Sequence, residues 1–114
     1  MTHDDTGRWY PSSTYRYSTP EGSAYVTVAR GQDGIWVDCS AGKSGSEVRA
    51  TSHALSAVCG MALRHGLPAI KLVHALKEIT HENSGTYLLA KRAGRPSAAS
   101  VPDAIGDALW QELT

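Results

Sequence analysis

The chain has 114 residues, enough for one domain with a modest core, because a chain of this size buries roughly two-thirds of its unfolded surface. Its 11 basic residues balance its 11 acidic residues, so generic binding to nucleic acid or to an anionic membrane is not expected. No apolar run approaches the roughly 20 residues of a membrane span, and the polar start at residues 1–5 is unlike a secretory signal peptide. We therefore expect a cytoplasmic protein without a membrane partner.

Residues 1–22 contain turn formers and aromatics without a sustained period, which predicts an irregular N-terminal arm before a single domain at 23–114. Within this arm, residues 14–19 have the β propensity of an edge strand, although their tyrosines could instead dock on a partner subunit. Residues 24–30 and 35–39 alternate apolar and polar side chains on either side of Asp33-Gly34. This pattern predicts a β-hairpin with one apolar face.

A small polar run, residues 38–47, lies where the β pattern ends and a helical pattern begins. The first turn of a helix has unpaired N–H groups and the positive end of the macrodipole, so the Lys-Ser-Gly-Ser sequence at 43–46 could hold a phosphate or carboxylate. Alternatively, a serine of this run only caps the helix and its glycines only turn the chain. The run is not a nucleotide-hydrolase P-loop, because Val37 stands where that motif requires a glycine.

Three helices are predicted after this run. The first covers residues 46–64 and is rich in small side chains, which allow close approach of another backbone. The second has an apolar stripe over residues 68–80, and the third begins at Ser100, a capping serine followed by an acidic first turn. Residues 81–99 separate the last two helices and are predicted to form a mobile, partly basic loop.

These elements predict an α+β fold, in which a short antiparallel β-sheet, the hairpin plus the edge strand, packs against three helices. Their order, together with GKSGS at 42–46, RHGLP at 64–68 and SVPDAI at 100–105, resembles the TSCPD domain over about residues 25–109. That family is best known as a C-terminal part of cobalamin-dependent ribonucleotide reductases. Its name pattern Thr-Ser-Cys-Pro-Asp falls on residues 99–103, where Ala99 and Val101 replace Thr and Cys. A redox or metal role of the motif is therefore not expected.

Nothing in the sequence resembles the reductase barrel or a cobalamin site, so the chain is not itself the reductase and no cofactor is expected. The resemblance implies a stand-alone copy of a domain associated with nucleotide metabolism. The main hypothesis is a non-catalytic protein that binds a nucleotide-like phosphorylated small molecule. By analogy with small oligomeric phage proteins, it would be a sponge that sequesters a linear or cyclic nucleotide immune signal. The alternative is an accessory module, related to ribonucleotide reductase, that docks on protein or nucleic acid.

The candidate ligand-binding residues offer a positive charge, a polar or flexible backbone that can approach a phosphate, or an aromatic face for a base. They are Lys43, Ser44, Gly45, Ser46, Arg49, Tyr87, Arg92 and Arg95. Trp36 or a tyrosine of the arm could serve as the stacking platform instead of Tyr87. The basic side chains at 91–95 could close over phosphates, or they could be ordinary solvated charge.

Neither a metal site nor a catalytic group is expected. The five histidines form no H-E-x-x-H motif and no Cys/His pair with zinc-like spacing, and no G-x-S-x-G motif marks a nucleophile. The two cysteines, Cys39 and Cys59, are too few and too far apart for a disulfide framework or a C-x-x-C metal clip, so we expect reduced, buried thiols.

Self-association is expected from the size of the sheet. A two- or three-stranded sheet is marginal alone and leaves its edges exposed. The small-residue first helix and the aromatic arm offer surfaces for a twofold partner, so the sequence favours a homodimer or a higher oligomer. In such an assembly the helix start of one chain could meet the basic loop of another.

Overall fold

The computed structural model describes residues 2–3, 9–43, 45–77, 79 and 84–113, and only the backbone of residues 2, 3, 9 and 10. Two short strands, β1 (Thr2–His3) and β2 (Trp9–Tyr10), pair with each other. The main sheet consists of β3 (Ser12–Thr19), β4 (Gly22–Gly31) and β5 (Gly34–Ala41), antiparallel and in that order. Together with the helices described below, this sheet confirms the predicted α+β class.

The predicted hairpin is formed by β4 and β5. Gly31 pairs with Gly34 across a two-residue turn, and Gly34 has a φ of +122°, which a residue with a Cβ rarely adopts. On the other side of β4, strand β3 pairs along its whole length, from Ser12 to Thr19. The predicted edge strand is thus confirmed and begins at Ser12 rather than at residue 14, inside the segment for which an irregular arm was expected.

The two faces of the sheet differ as the alternation of side chains predicts. Val26, Val28 and Cys39 are buried on the face that meets the helices. Their neighbours along the strands, among them Thr27 and Asp38, lie on the opposite face, where they form a cross-strand pair. One face of the sheet therefore packs against the helices as part of the hydrophobic core, and the other face is polar.

Helix α1 (Glu47–Arg64) confirms the first predicted helix and covers the outer edge of β5. The N–H of Cys39 donates to Ser56 Oγ at 3.0 Å, and Arg64 Nη1 donates to the carbonyl oxygen of Ile35 at 2.8 Å. An uncovered edge of this kind would present a row of unpaired backbone groups. Side chains of α1 supply the partners that a further strand would otherwise supply.

The small residues of α1 bring its backbone close to β5. A Cβ on Gly60 would lie 3.3 Å from the backbone nitrogen of Val37, and Ser52 and Ser56 are buried on the same face of the helix. The small-residue stripe thus permits close approach of another backbone, as predicted, and that backbone belongs to the same chain. The other small residues of the helix, Ala50, Ala54 and Ala57, are exposed, so the expected contact with a twofold partner stays a prediction.

Helix α4 (Val101–Leu113) confirms the third predicted helix and lies at the centre of the core. The N–H of Asp103 donates to Ser100 Oγ at 3.1 Å, which is the expected N-terminal cap. Ile105 and Leu109 are fully buried, and α4 packs on β3, β4 and helix α2 (Ala69–Leu76). The second helix was expected to continue to about residue 80, but Lys77 already has an extended ψ of 137°.

A fourth helix corrects the predicted mobile loop at 81–99. Residues Gly85–Arg92 form α3, while Thr80 and residues 81–83 lie outside the described part of the chain. Tertiary contacts hold this short helix: Lys91 Nζ lies 2.9 Å from both carboxylate oxygens of Asp103, and Ser84 Oγ donates to the carbonyl oxygen of Ala99 at 2.7 Å. No described helix is long and apolar enough to cross a membrane.

Candidate functional site

The turn between β5 and α1 presents Lys43 between two glycines in left-handed conformations. Gly42 has a φ of +74° and Gly45 a φ of +79°, and a Cβ on Gly42 would lie 3.2 Å from Ser46 Oγ. The N–H of Ser46 donates to the carbonyl oxygen of Lys43 at 3.0 Å, which closes the turn. The glycines therefore turn the chain, and Lys43 is exposed at the tip.

Ser46 is the N-cap of α1, because its Oγ accepts the N–H of Arg49 at 3.2 Å. The capping interpretation of this serine is thus confirmed. The cap pairs one of the N–H groups that the first turn of a helix leaves without an intrahelical partner. Ser44 lies outside the described residues, so its predicted role stays a prediction.

Lys43 and Arg49 line one cavity, at the end of the polar face of the sheet. Its volume is about 360 Å³, and its floor includes the cross-strand pair Tyr25 and Ser40. The full lining is Glu21, Gly22, Ser23, Tyr25, Ser40, Gly42, Lys43 and Arg49. Two cationic side chains and one carboxylate thus face the same space, so its lining has a net positive charge.

Tyr25 also lines this cavity and was not among the predicted ligand-binding residues. The residue is 47 % exposed, lines the same cavity as Lys43 and Arg49, and its ring offers a flat surface near the two charges. The signal was available in the hairpin pattern. Tyr25 alternates with the buried Ala24 and Val26, so it must lie on the polar face, and its register partner Ser40 is close in sequence to Lys43.

The other predicted site residues lie elsewhere. Arg95 lines a cavity of about 450 Å³ on the opposite side of the sheet, together with Tyr17, whose hydroxyl donates to Asp107 of α4 at 2.8 Å. Tyr87 is half-buried on α3, and Arg92 is exposed near the end of the same helix. Within one subunit, these residues and the Lys43 cavity do not form a common site.

Lys91, the first of the basic side chains of the predicted loop, has a structural role. Its ammonium group pairs with Asp103, whose carboxylate is fully buried and also accepts the N–H of Ala99 at 2.9 Å. Asp103 is the acidic residue of the Ser-Val-Pro-Asp sequence that starts α4. The aspartate of that motif therefore connects α3, the preceding segment and α4.

A third cavity, of about 440 Å³, lies between the polar face of β5 and α1. The guanidinium carbon of Arg64 lies 3.7 Å from the centroid of the Trp36 ring, in a cation–π contact. Asp38 Oδ1 and His53 Nδ1 are hydrogen-bonded at 2.9 Å. Both members of the His–Asp pair are about half exposed. Among the described residues, no hydroxyl or thiol is hydrogen-bonded to the His53 ring.

The two cysteines are buried and unpaired, as expected. Burial, reinforced by the nearby charge of Asp38, raises the pKa of Cys39 from its ordinary value of 9.0 to about 12. Burial also raises the pKa of Cys59. In the described part of the chain, no group of three or more His, Cys, Asp or Glu side chains could hold a metal ion.

Comparison with known proteins gives one family. The family model described as the TSCPD domain matches residues 6–113, nearly the whole chain. The comparison with curated proteins and the comparison with solved structures give no match.

Proposed function

The chain belongs to the TSCPD domain family, and we propose that it binds a nucleotide-like phosphorylated small molecule, without turning it over, in the cavity at the start of α1. The observation that carries this proposal is the convergence of Lys43, Arg49 and Tyr25 on a single cavity. The family match covers residues 6–113 and does not identify a ligand.

The two cations suit a phosphate in different ways. Lys43 is a mobile point charge on an exposed turn, whereas the guanidinium of Arg49 can donate two parallel hydrogen bonds to phosphate oxygens. Both lie beside the N-terminus of an 18-residue helix, whose dipole also favours negative charge. A phosphate group in the cavity would therefore gain from three independent sources of positive potential.

The rest of the lining suits a nucleoside better than a bare anion. Tyr25 offers an aromatic face on which a base can stack, and such stacking is worth about 1–3 kcal/mol per base. The carboxylate of Glu21 would repel a phosphate but would accept hydrogen bonds from sugar hydroxyls. The cavity thus has separate groups for phosphate, sugar and base.

Native mass spectrometry with a panel of linear and cyclic nucleotides tests the proposal, followed by titration calorimetry on any ligand retained. We expect an intact ligand on the wild type and loss of binding in the double variant Lys43→Ala with Arg49→Ala, with unchanged circular dichroism. The control Lys71→Ala with Lys77→Ala removes the same charge from α2 and from the residue that follows it, and should bind normally. Unchanged affinity of the Lys43/Arg49 variant would refute the site.

Two further variants separate the parts of the site. Tyr25→Ala should weaken nucleotide binding by roughly 5- to 150-fold, the equivalent of one lost stacking contact, while inorganic phosphate binding is unchanged. Arg92→Ala with Arg95→Ala tests the predicted contribution of the second basic group, which could reach the cavity only from another subunit. A ligand recovered in altered chemical form would contradict the absence of turnover.

Sequestration of a linear or cyclic nucleotide immune signal remains the specific form of this function suggested by analogy with small phage proteins. The alternative function, an accessory module that docks on protein or nucleic acid, is favoured by one observation. Val58 and Met61 are 63 % and 55 % exposed on the outer face of α1, an apolar surface without a partner in the described part of the chain. Failure of every nucleotide in the panel would favour this docking role.

A further inference from the structure

The two edges of the main sheet are treated differently. On β5, side chains of α1 pair with the outward backbone groups of Cys39 and Ile35. On β3, only the C-terminal part of the edge is paired: the N–H of Ser18 donates to the carbonyl oxygen of Pro96, and the N–H of Ala98 donates to the carbonyl oxygen of Ser18, both at 3.0 Å. These bonds do not involve residues 12–16 of β3.

The direction of the backbone groups along β3 follows from these bonds. In an antiparallel strand, alternate residues direct their N–H and C=O groups to the same edge. Because both groups of Ser18 point away from β4, those of Arg16, Thr14 and Ser12 do so too. The residues between them, such as Tyr15 and Tyr17, direct theirs to β4, opposite Val26 and Ala24.

No described backbone segment pairs with the outward groups of Ser12, Thr14 and Arg16. A run of free donors and acceptors on an extended strand is a template for another strand, and proteins usually cover such an edge. Described segments cover groups on β5 and at the end of β3, which leaves residues 12–16 as the stretch of edge that no described segment covers. We name this stretch the open edge.

We propose that the open edge pairs with the open edge of a second copy of this chain, antiparallel and about a twofold axis at Thr14. Thr14 then lies opposite the partner's Thr14, and each donates its N–H to the other's carbonyl oxygen. Ser12 pairs in the same way with the partner's Arg16. The two three-stranded sheets join into one continuous sheet of six strands.

The side chains of the open edge are compatible with this self-pairing. Arg16 lies opposite a serine, so no like charges meet, and a Thr–Thr pair at the axis is a favourable cross-strand contact. On the other face of the strand, Ser13 lies opposite the partner's Tyr15. A three-stranded sheet with one polar face gains most from a partner that extends it, because strand pairing satisfies backbone groups without requiring an apolar surface.

Analytical ultracentrifugation over a range of protein concentrations tests the proposal. We expect a dimer that Thr14→Pro weakens roughly tenfold or more, because proline removes the outward N–H and leaves the bonds between β3 and β4 intact. Thr14→Val keeps the N–H and the β propensity, so it should dimerise like the wild type. A wild type that is monomeric up to its solubility limit overturns the proposal.

Cross-linking supplies a second test that does not depend on the folding of the proline variant. At the axis, the Cα atoms of paired residues are about 5.5 Å apart, within the range of a disulfide, so Thr14→Cys should form a covalent dimer on oxidation. Thr27→Cys is the matched control. It lies beside Thr14 on the same face, but three strand spacings, about 14 Å, would separate it from its copy. A dimer that survives Thr14→Pro and is not cross-linked through position 14 uses another surface and refutes the open edge.

Discussion

Replacing Ser56 with alanine tests whether α1 stabilises the fold by covering the edge of β5. Ser56 is fully buried, its Oγ accepts the N–H of Cys39 at 3.0 Å, and Cys39 is fully buried too. That N–H points away from β4 toward α1, so no carbonyl group of a neighbouring strand can replace Ser56 Oγ as its acceptor. Helix α1 also prevents water from reaching the N–H. A buried N–H without a partner costs about 1–3 kcal/mol.

The net effect is smaller, because alanine is the better helix former by about 0.5 kcal/mol. We therefore expect Ser56→Ala to lower the free energy of unfolding by about 1–2 kcal/mol. For a chain of 114 residues, an unfolding entropy of about 2.1 cal/mol/K per residue converts this to a fall in Tm of about 4–8 °C. Urea and thermal unfolding followed by circular dichroism measure both quantities.

The matched control is Thr51→Ala, an exposed position on the same helix, where the change should stay within about 0.5 kcal/mol of zero. Hydrogen exchange gives a local measurement, because the Cys39 amide should exchange faster in Ser56→Ala, while amides in the centre of β4 follow only the global change. If the stability of Ser56→Ala equals that of the control and the Cys39 amide stays protected, α1 does not stabilise the fold by hydrogen-bonding to the edge of β5.

Two further predictions concern buried groups. Lys91→Ala should lower the free energy of unfolding by about 3 kcal/mol in urea titrations, because the fully buried Asp103 carboxylate would lose the Lys91 ammonium group. Lys71→Ala, on the surface, should change it little. Equal effects of the two variants would contradict the structural role of the Lys91–Asp103 pair. Stability should also fall above pH 9. Burial raises the pKa of Cys39 from 9.0 to about 12 and that of Tyr17 well above its usual range, so the folded state holds protons that the unfolded chain releases. The contribution of these two groups to the free energy of unfolding should thus be constant below pH 9 and decline as the pH rises toward 12. The decline should be less steep in Tyr17→Phe, and identical slopes would contradict the assignment to Tyr17.

The position of the Arg95 cavity affects the expectation that the ligand site combines the helix start of one subunit with the basic loop of another. This cavity lies beside Tyr15, Arg16 and Tyr17 of β3, close to the open edge, whereas the Lys43 cavity lies on the other face of the sheet. Pairing through the open edge would bring the Arg95 cavities of two copies near each other. A ligand that requires both Lys43 and Arg95 would therefore point to a second kind of contact between subunits.

Local sequence determined the elements whose signals are contained in a few neighbouring residues. Strand alternation and the turn sequence Gly31-Gln32-Asp33-Gly34 specified the hairpin and its faces, and Ser100 with an acidic first turn specified the start of α4. The same reasoning placed Lys43 and Arg49 at the start of α1, where both line one cavity. In each case the relevant interactions join residues close in sequence, so propensity and periodicity were sufficient.

Tertiary structure decided what depends on contacts between distant segments. Helix α3 has weak local signals and forms where Lys91 reaches the buried Asp103, twelve residues away in sequence. The helical pattern did not specify that Ser56 and Gly60 of α1 pack on β5, because the strand is distant from them in sequence. Tyr25 lines the Lys43 cavity because the register of the hairpin places it beside Ser40, whereas Arg95 lines a different cavity on the other face of the sheet. A side chain's neighbours across the fold are set by packing, which no local window of sequence contains.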